Sequence, residues 1–205
     1  MTDDDDVPIL VDFRDDATAR QWIEETRVKR PHRPAFFAAF CRALSGTQLR
    51  VLELGSGPGQ LAREVLTHCD VASYTMLDFS PAMHAIAREH LGSLPATMIV
   101  RDFREPEWAA GLGPFDAVVT MQAAHETRHK RHLIPLLERA RTTLAPGGML
   151  LYADHYVTPT TKYPALMPER ADQPLALEGA GFVDAMLLHD EGNMALWIGY
   201  TPRAR

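Results

Sequence analysis

The stretch VLELGSGPGQ, residues 51–60, constrains the fold more than any other part of the chain. A short apolar run, RVLEL, ends in Gly55, Gly57 and Gly59, and LAREVLTHC follows with apolar residues at helical spacing. This reads as a strand, a sharp turn and a helix. Glycines let the backbone turn there and let a ligand approach without a Cβ in the way. The loop is not the dinucleotide fingerprint, because G-x-G-x-x-G counted from Gly55 needs a small residue at position 60, where Gln60 stands. A bulky residue there works against close packing around a pyrophosphate, which disfavours NAD.

The alternation continues to the end of the chain. Strands are expected at 50–54, 73–78, 96–102, 115–121, 149–155, 182–188 and 194–200. Between them lie helical patterns: SPAMHAIAREHLG, RHLIPLLERARTTLAPGG (131–148, closed by Pro-Gly-Gly) and a short one in PLALEGAG. Two further helices, 16–29 and 34–45, precede the first strand; Pro34 sits in the first turn of the second, where its missing N–H costs little. Strands alternating with helices imply a parallel α/β sheet, and the closing hairpin around HDEGN turns the last strand antiparallel. The expected organisation is a single domain over 1–205: an acidic tail (1–15), N-terminal helices (16–49) and a core (50–205).

Composition bounds the function. With 205 residues, 46% hydrophobic and 23% charged, the chain can bury one sizeable core. A net charge of −6 argues against binding nucleic acid through its phosphates. Cys41 and Cys69 fit no zinc or redox spacing and suggest free thiols in a reducing compartment. No apolar run approaches the ~18 residues that span a membrane. The start, MTDDDDVPIL, lacks the basic and apolar regions of a signal peptide, so the expected location is cytoplasmic and the Asp run is most simply a solvated tail.

Asp78 ends the second strand about twenty residues after the glycines, a spacing that lets a carboxylate accept both hydroxyls of a ribose and repel a 2′-phosphate. Phe79 and Met83 follow and could cover an adenine, though Met83 serves equally as core. Asp102 ends the third strand and could accept from an adenine amino group, with Phe103 beside it; capping the next helix is its plainer role.

Taken in order, VLELGSGPGQ, LDFSPAM, VRDF, PFDAVVTMQAAHE and LAPGGMLLYADH resemble the successive motifs of class I S-adenosylmethionine-dependent methyltransferases, from about Arg50 to Tyr200. The resemblance implies a doubly wound, seven-stranded, mostly parallel sheet of order 3-2-1-4-5-7-6. It implies S-adenosylmethionine as cofactor, with Glu53, Gly55, Ser56, Gly57 and Gly59 against its methionine and sugar. Asp78 would hold the ribose, Asp102 and Phe103 would meet the adenine, and Thr120 and Met121 would lie near the cofactor. An N-terminal arginine, Arg27, Arg30 or Arg33, would meet the cofactor carboxylate. The implied activity is in-line methyl transfer to a small-molecule acceptor, with N-, O- and C-methylation all open. The alternative is a non-catalytic S-adenosylmethionine-binding regulatory or assembly protein of the same fold.

HETRH, residues 125–129, matches the zinc motif H-E-x-x-H, which needs an uninterrupted helix. Pro135 lies six residues past His129 and would break such a helix at a cost of ~3 kcal/mol. The helix therefore starts near His132, and HETRH falls at least partly on the loop after strand four. Arg128, Lys130 and Arg131 would also repel a dication, so no metal is expected. By the resemblance that loop faces the activated methyl group. This makes His125 a candidate general base, with His155, beside Asp154 at the end of strand five, as a second. Glu126 could orient His125. The basic stretch HETRHKRH reads first as a solvated helix start and second as an attraction for an anionic acceptor. Acceptor selection falls to residues 1–49, to loop 155–170, or to a second subunit of a homodimer.

Overall fold

The computed structural model describes residues 5–9 and 11–203, apart from the side chains of Arg27 and Val28. Seven strands form one sheet: β1 (Leu49–Leu54), β2 (Val71–Asp78), β3 (Thr97–Val100), β4 (Phe115–Met121), β5 (Leu144–His155), β6 (Val183–Glu191) and β7 (Met194–Tyr200). Their order is β3-β2-β1-β4-β5-β7-β6, and β7 runs antiparallel to both neighbours. The helices are α1 (Asp16–Lys29), α2 (Arg33–Ala43), α3 (Gln60–His68), α4 (Pro81–Leu91), α5 (Leu133–Thr142) and α6 (Asp172–Gly179). The expected fold class and strand order hold.

The near-continuous apolar strands are explained by a sheet covered on both faces. Successive residues of β1, β4 and β5 serve two cores: Leu52, Val118, Leu150 and Tyr152 pack with α5 and α6, whereas Val51, Ala117, Val119 and Leu151 pack with Phe36 and Phe40 of α2 and Leu61 and Val65 of α3. Val51, Leu52, Val118 and Leu151 are fully buried. A third cluster joins Ala19 of α1 to Met83 and Ile86 of α4, so the first helix rides on the rim of the fold near the ends of the strands.

Several boundaries differ from the sequence reading: β3 stops at Val100, so Asp102 lies just past the strand and does not end it, and the largest differences are at α5 and β6. Helix α5 ends at Thr142, and LAPGG belongs to β5. The Thr143 hydroxyl donates to Ala140 O (2.8 Å), while its carbonyl accepts from Phe115 N–H (2.8 Å), so the sheet claims the chain before the prolyl-glycine turn. Pro146 has no N–H to offer and Gly147 takes φ 76°, and the β4–β5 register shifts across this stretch. β6 also runs on to Glu191. The hairpin turn is only Gly192 and Asn193, at φ 59° and 58°, the left-handed pair that a two-residue turn demands.

Between β4 and α5 the chain makes two short 3-10 turns, Ala124–Thr127 and Lys130–His132, separated by Arg128 at φ 74°. His125 and His129 therefore do not share a helical face, as the proline argument required. Among the described residues no group of three or more His, Cys, Asp or Glu is placed to hold a metal. No helix of the described residues is long and apolar enough to cross a membrane.

Candidate active site

The loop after β1 turns at Gly55, whose φ is 66°; a Cβ there would sit 2.3 Å from that of Ala123, on the loop after β4. The two loops touch because both leave the carboxyl ends of adjacent strands, the edge at which open α/β sheets bind ligands. A cavity of about 340 Å³ opens there. Its walls include Glu53, Gly55, Ser56, Gly57, Asp78, Phe79, Met83, Phe103 and Met121 among the residues expected from sequence, with His125 and His155 beyond them. Gly59 and Thr120 are not among its lining residues: Gly59 faces Ala87 of α4, and Thr120 Oγ1 donates to Leu54 O at 3.1 Å, tying β4 to β1. Asp102 borders a neighbouring cavity of about 160 Å³, which shares Phe79 and Phe103.

Asp78 is 5% exposed. Its carboxylate accepts from the backbone N–H of Gly57 (2.8 Å) and of Ser80 (2.9 Å), clamping the glycine loop to the start of α4. The helix cap itself is Ser80, whose hydroxyl accepts from Met83 N–H (3.0 Å). Burial pushes the Asp78 carboxyl up to about 6, although the N–H donors pull the other way. Glu53 is buried deeper still and is pushed up to about 8 by desolvation, although the Tyr74 hydroxyl donates to it (2.9 Å). Asp102 is paired with Arg104 (2.5 Å), and the Arg104 and Arg14 guanidiniums lie 5.4 and 5.0 Å from the Phe79 ring centroid.

On the other side of the cavity His125 Nδ1 meets Asp154 Oδ1 at 2.7 Å, and the His125 backbone N–H donates to Asp154 Oδ2 at 3.0 Å. Asp154, 1% exposed, thus grips both the ring and the turn that carries it. Burial alone would lower the His125 pKa, but the Asp154 carboxylate outweighs it and holds the imidazole above its ordinary value. Nε2 is left as the nitrogen available to a ligand, 3.6 Å from Glu126 Oε1. Glu126 is itself engaged by Arg128 (2.9 Å). The orienting carboxylate is therefore Asp154 and not Glu126.

His155 lies beside His125, with ring centroids 5.9 Å apart. Gln122 fixes its state. The Gln122 Oε1 accepts from Arg30 Nη1 (3.0 Å) and Arg33 Nε (2.8 Å), which turns the amide NH₂ toward His155 Nε2 (2.9 Å). That nitrogen must accept, so His155 is the neutral tautomer with no free lone pair for a substrate proton. Burial likewise lowers its pKa. Arg33 also donates to Gln60 Oε1 (2.6 Å), at the first turn of α3. Of the three N-terminal arginines considered, Arg30 and Arg33 reach the cavity, and the Arg27 side chain lies outside the described residues.

The sequence reading missed the role of the acidic segment. Val7 is 2% exposed, its N–H donates to Arg128 O (2.9 Å), and Arg128 Nε donates to Val7 O (2.9 Å), with Pro8 O as a further acceptor. Asp6 meets Arg131 (2.5 Å) and His132 (2.9 Å). Val11 and Phe13 then wall the cavity. The basic stretch after β4, expected first as a solvated helix start, is thus the anchor of residues 6–8. Arg128→Ala should destabilise the protein by about 1–3 kcal/mol, since it removes charge-assisted bonds to the carbonyls of buried Val7 and of Pro8; denaturant midpoints check this, and an unchanged midpoint would show that these bonds contribute nothing to stability.

Residues 51–148 match the sequence model of a methyltransferase domain. The match covers just under half of the chain, and the strand order is the one that the resemblance to class I, Rossmann-like methyltransferases implied. A curated relative, a malonyl-[acyl-carrier protein] O-methyltransferase of Magnetococcus marinus, is 33% identical over 106 residues, which cover 51% of this chain and 37% of that protein. The chain thus spans little more than a third of that relative's length. Among solved structures, the complex of the Haloferax volcanii Trm112 methyltransferase activator with a putative methyltransferase gives a TM-score of 0.72 at 19% identity, covering 96% of this chain and 100% of that one. The DhpI complex with S-adenosylhomocysteine gives 0.68 at 21% identity, covering 91% and 94%. These likenesses concern the fold alone. The cofactor of such domains is S-adenosylmethionine, and the residues present fit it. A Cβ on Gly57 would meet no protein atom within 4 Å, Asp78 is a buried carboxylate at the second strand's end, and Arg33 reaches the cavity beside the glycine loop.

Proposed function

We propose that the methyltransferase domain transfers a methyl group from S-adenosylmethionine to a small acceptor whose nucleophile gives its proton to His125. The observation that carries this reading is the buried His125–Asp154 pair on the same cavity as the glycine loop. The cofactor supplies a methyl already activated on a sulfonium, which departs as a neutral thioether. The chain's own residues position and deprotonate. Asp78 accepts the ribose hydroxyls, Arg33 pairs with the cofactor carboxylate, and Phe79, Phe103 and Met83 offer apolar faces to the adenine. Asp154 holds His125 with Nδ1–H toward itself, so that Nε2 takes the proton as the nucleophile closes on the methyl carbon. His155, kept neutral by Gln122, forms a wall beside it. Glu53, Met121 and Ser56 complete the floor. Holding the reactants in line supplies much of the rate in such a displacement.

The cavity lies at the small end of ligand-pocket volumes, and cofactor and acceptor must share it, which favours a small acceptor. The O-methyltransferase activity of the Magnetococcus marinus relative favours an oxygen nucleophile. The test uses methyl-labelled cofactor with phenols, hydroxy acids, amines and thiols from pH 5.5 to 9. Transfer should occur, with kcat/KM rising with pH through an apparent pKa above 6.5, because His125 acts as a base only when neutral and Asp154 raises its pKa. Label retained on the cofactor throughout, with S-adenosylhomocysteine still bound tightly, would leave the non-catalytic binding protein as the better reading.

A further inference from the structure

Arg30 and Arg33 line the cavity, and among the described residues neither has a carboxylate within salt-bridge distance. What they share is a neutral acceptor, the single amide oxygen of Gln122. Two guanidiniums converging on one oxygen repel each other, and both are partly withdrawn from water. Desolvation lowers both pKa values, that of Arg33 to about 10. The carboxylates nearby are already spent: Asp154 on His125 and Glu126 on Arg128. The folded chain therefore presents two cationic groups to one cavity and neutralises neither, a cost that anionic ligands relieve.

The proposed function assigns one anion, the cofactor carboxylate, to Arg33, which bonds Gln60 at the start of α3 beside the glycine loop. Arg30 reaches the shared Gln122 oxygen from the Trp22 side. Its guanidinium lies over Trp22, 5.1 Å from the ring centroid, and its charge is felt by both His125 and His155. Gln122 links it to His155, whose ring lies beside that of His125. Trp22, Phe37, Leu166 and Met167 add apolar wall to the same cavity. Resting on that function, we infer that the methyl acceptor is an organic acid: its anionic group sits on Arg30, its apolar body against Trp22, and its nucleophilic atom before His125 Nε2. A planar guanidinium stacked on an aromatic ring is suited to hold a carboxylate in fixed orientation.

The experiment measures binding of benzoate, phenylacetate and hexanoate, with their amides as uncharged controls, to the protein saturated with S-adenosylhomocysteine. At least one acid should bind tenfold or more tighter than its amide. Arg30→Gln should abolish that preference while leaving S-adenosylhomocysteine affinity within about twofold, and Arg30→Lys should keep part of it. Arg33→Gln should do the reverse, weakening S-adenosylhomocysteine by roughly 5- to 150-fold. Thermal melts of each variant establish that it folds. Acids binding no better than amides, or no acid binding at all, overturns the inference. So does an Arg30→Gln loss of S-adenosylhomocysteine affinity equal to that of Arg33→Gln, since the cofactor would then take both guanidiniums. Wild-type protein that fails to bind S-adenosylhomocysteine is a different result, and it removes the proposed function itself.

Discussion

His125→Ala should lower turnover by about 10²- to 10⁴-fold, the range that a positioned proton acceptor contributes, with S-adenosylhomocysteine affinity kept within about twofold. The split follows from geometry. His125 lines the cavity opposite Asp78, and its other nitrogen is committed to Asp154 at 2.7 Å. Single-turnover rates with labelled cofactor, set beside calorimetric affinities, read the two effects separately. Asp154→Asn should cost nearly as much with less disturbance of the cavity wall, because an amide can present its NH₂ to Nδ1 and so place the proton on Nε2, the wrong nitrogen for a base. If His125→Ala turns over like the wild type, the ring is a packing residue and the displacement proceeds by positioning alone.

Asp78→Asn should weaken S-adenosylhomocysteine binding by about 1–3 kcal/mol, through lost charge-assisted bonds to the ribose. The wild type should carry a matching pH signature. Burial raises the Asp78 carboxyl to about 6 in the free protein. Below that pH it is protonated and accepts hydroxyl donors poorly, so affinity falls as pH drops through about 6 and is constant above it. The Asn variant should lose this step. An affinity equal to wild type at pH 7.5 would take Asp78 out of the binding site and leave it as a clamp between Gly57 and Ser80, a role it holds in any case.

Strand periodicity made most of the fold legible. β4 was readable to the residue because Phe115–Met121 is buried on both faces and bounded by polar text. The ends of α5 and β6 were not, because they depend on partners distant in sequence: Phe115 recruits Thr143, and β7 extends β6 to Glu191. The site followed the same division. Asp78 and the glycines announce themselves by spacing. The pairing of His125 with Asp154 depends on two strands lying side by side, with Met121 opposite Ala153, and topology could place Asp154 on the rim but not aim it. Gln122 gave no signal at all: its φ of 55° just beyond β4 turns the amide toward two arginines and a histidine, and nothing in the local text marks that turn. The acidic start looked like a solvated tail because its partners, Arg128, Arg131 and His132, sit more than a hundred residues downstream.

That last arrangement bears on timing. Val11 and Phe13 wall the cavity, while Asp6, Val7 and Pro8 are fastened to the turn that also carries His125. On the proposed function, spent thioether and fresh sulfonium would exchange past Val11 and Phe13, and the latch on that doorway and the proton acceptor share one stretch of backbone. If exchange takes that route, Arg128→Ala, which loosens the fastening, should speed the release of S-adenosylhomocysteine.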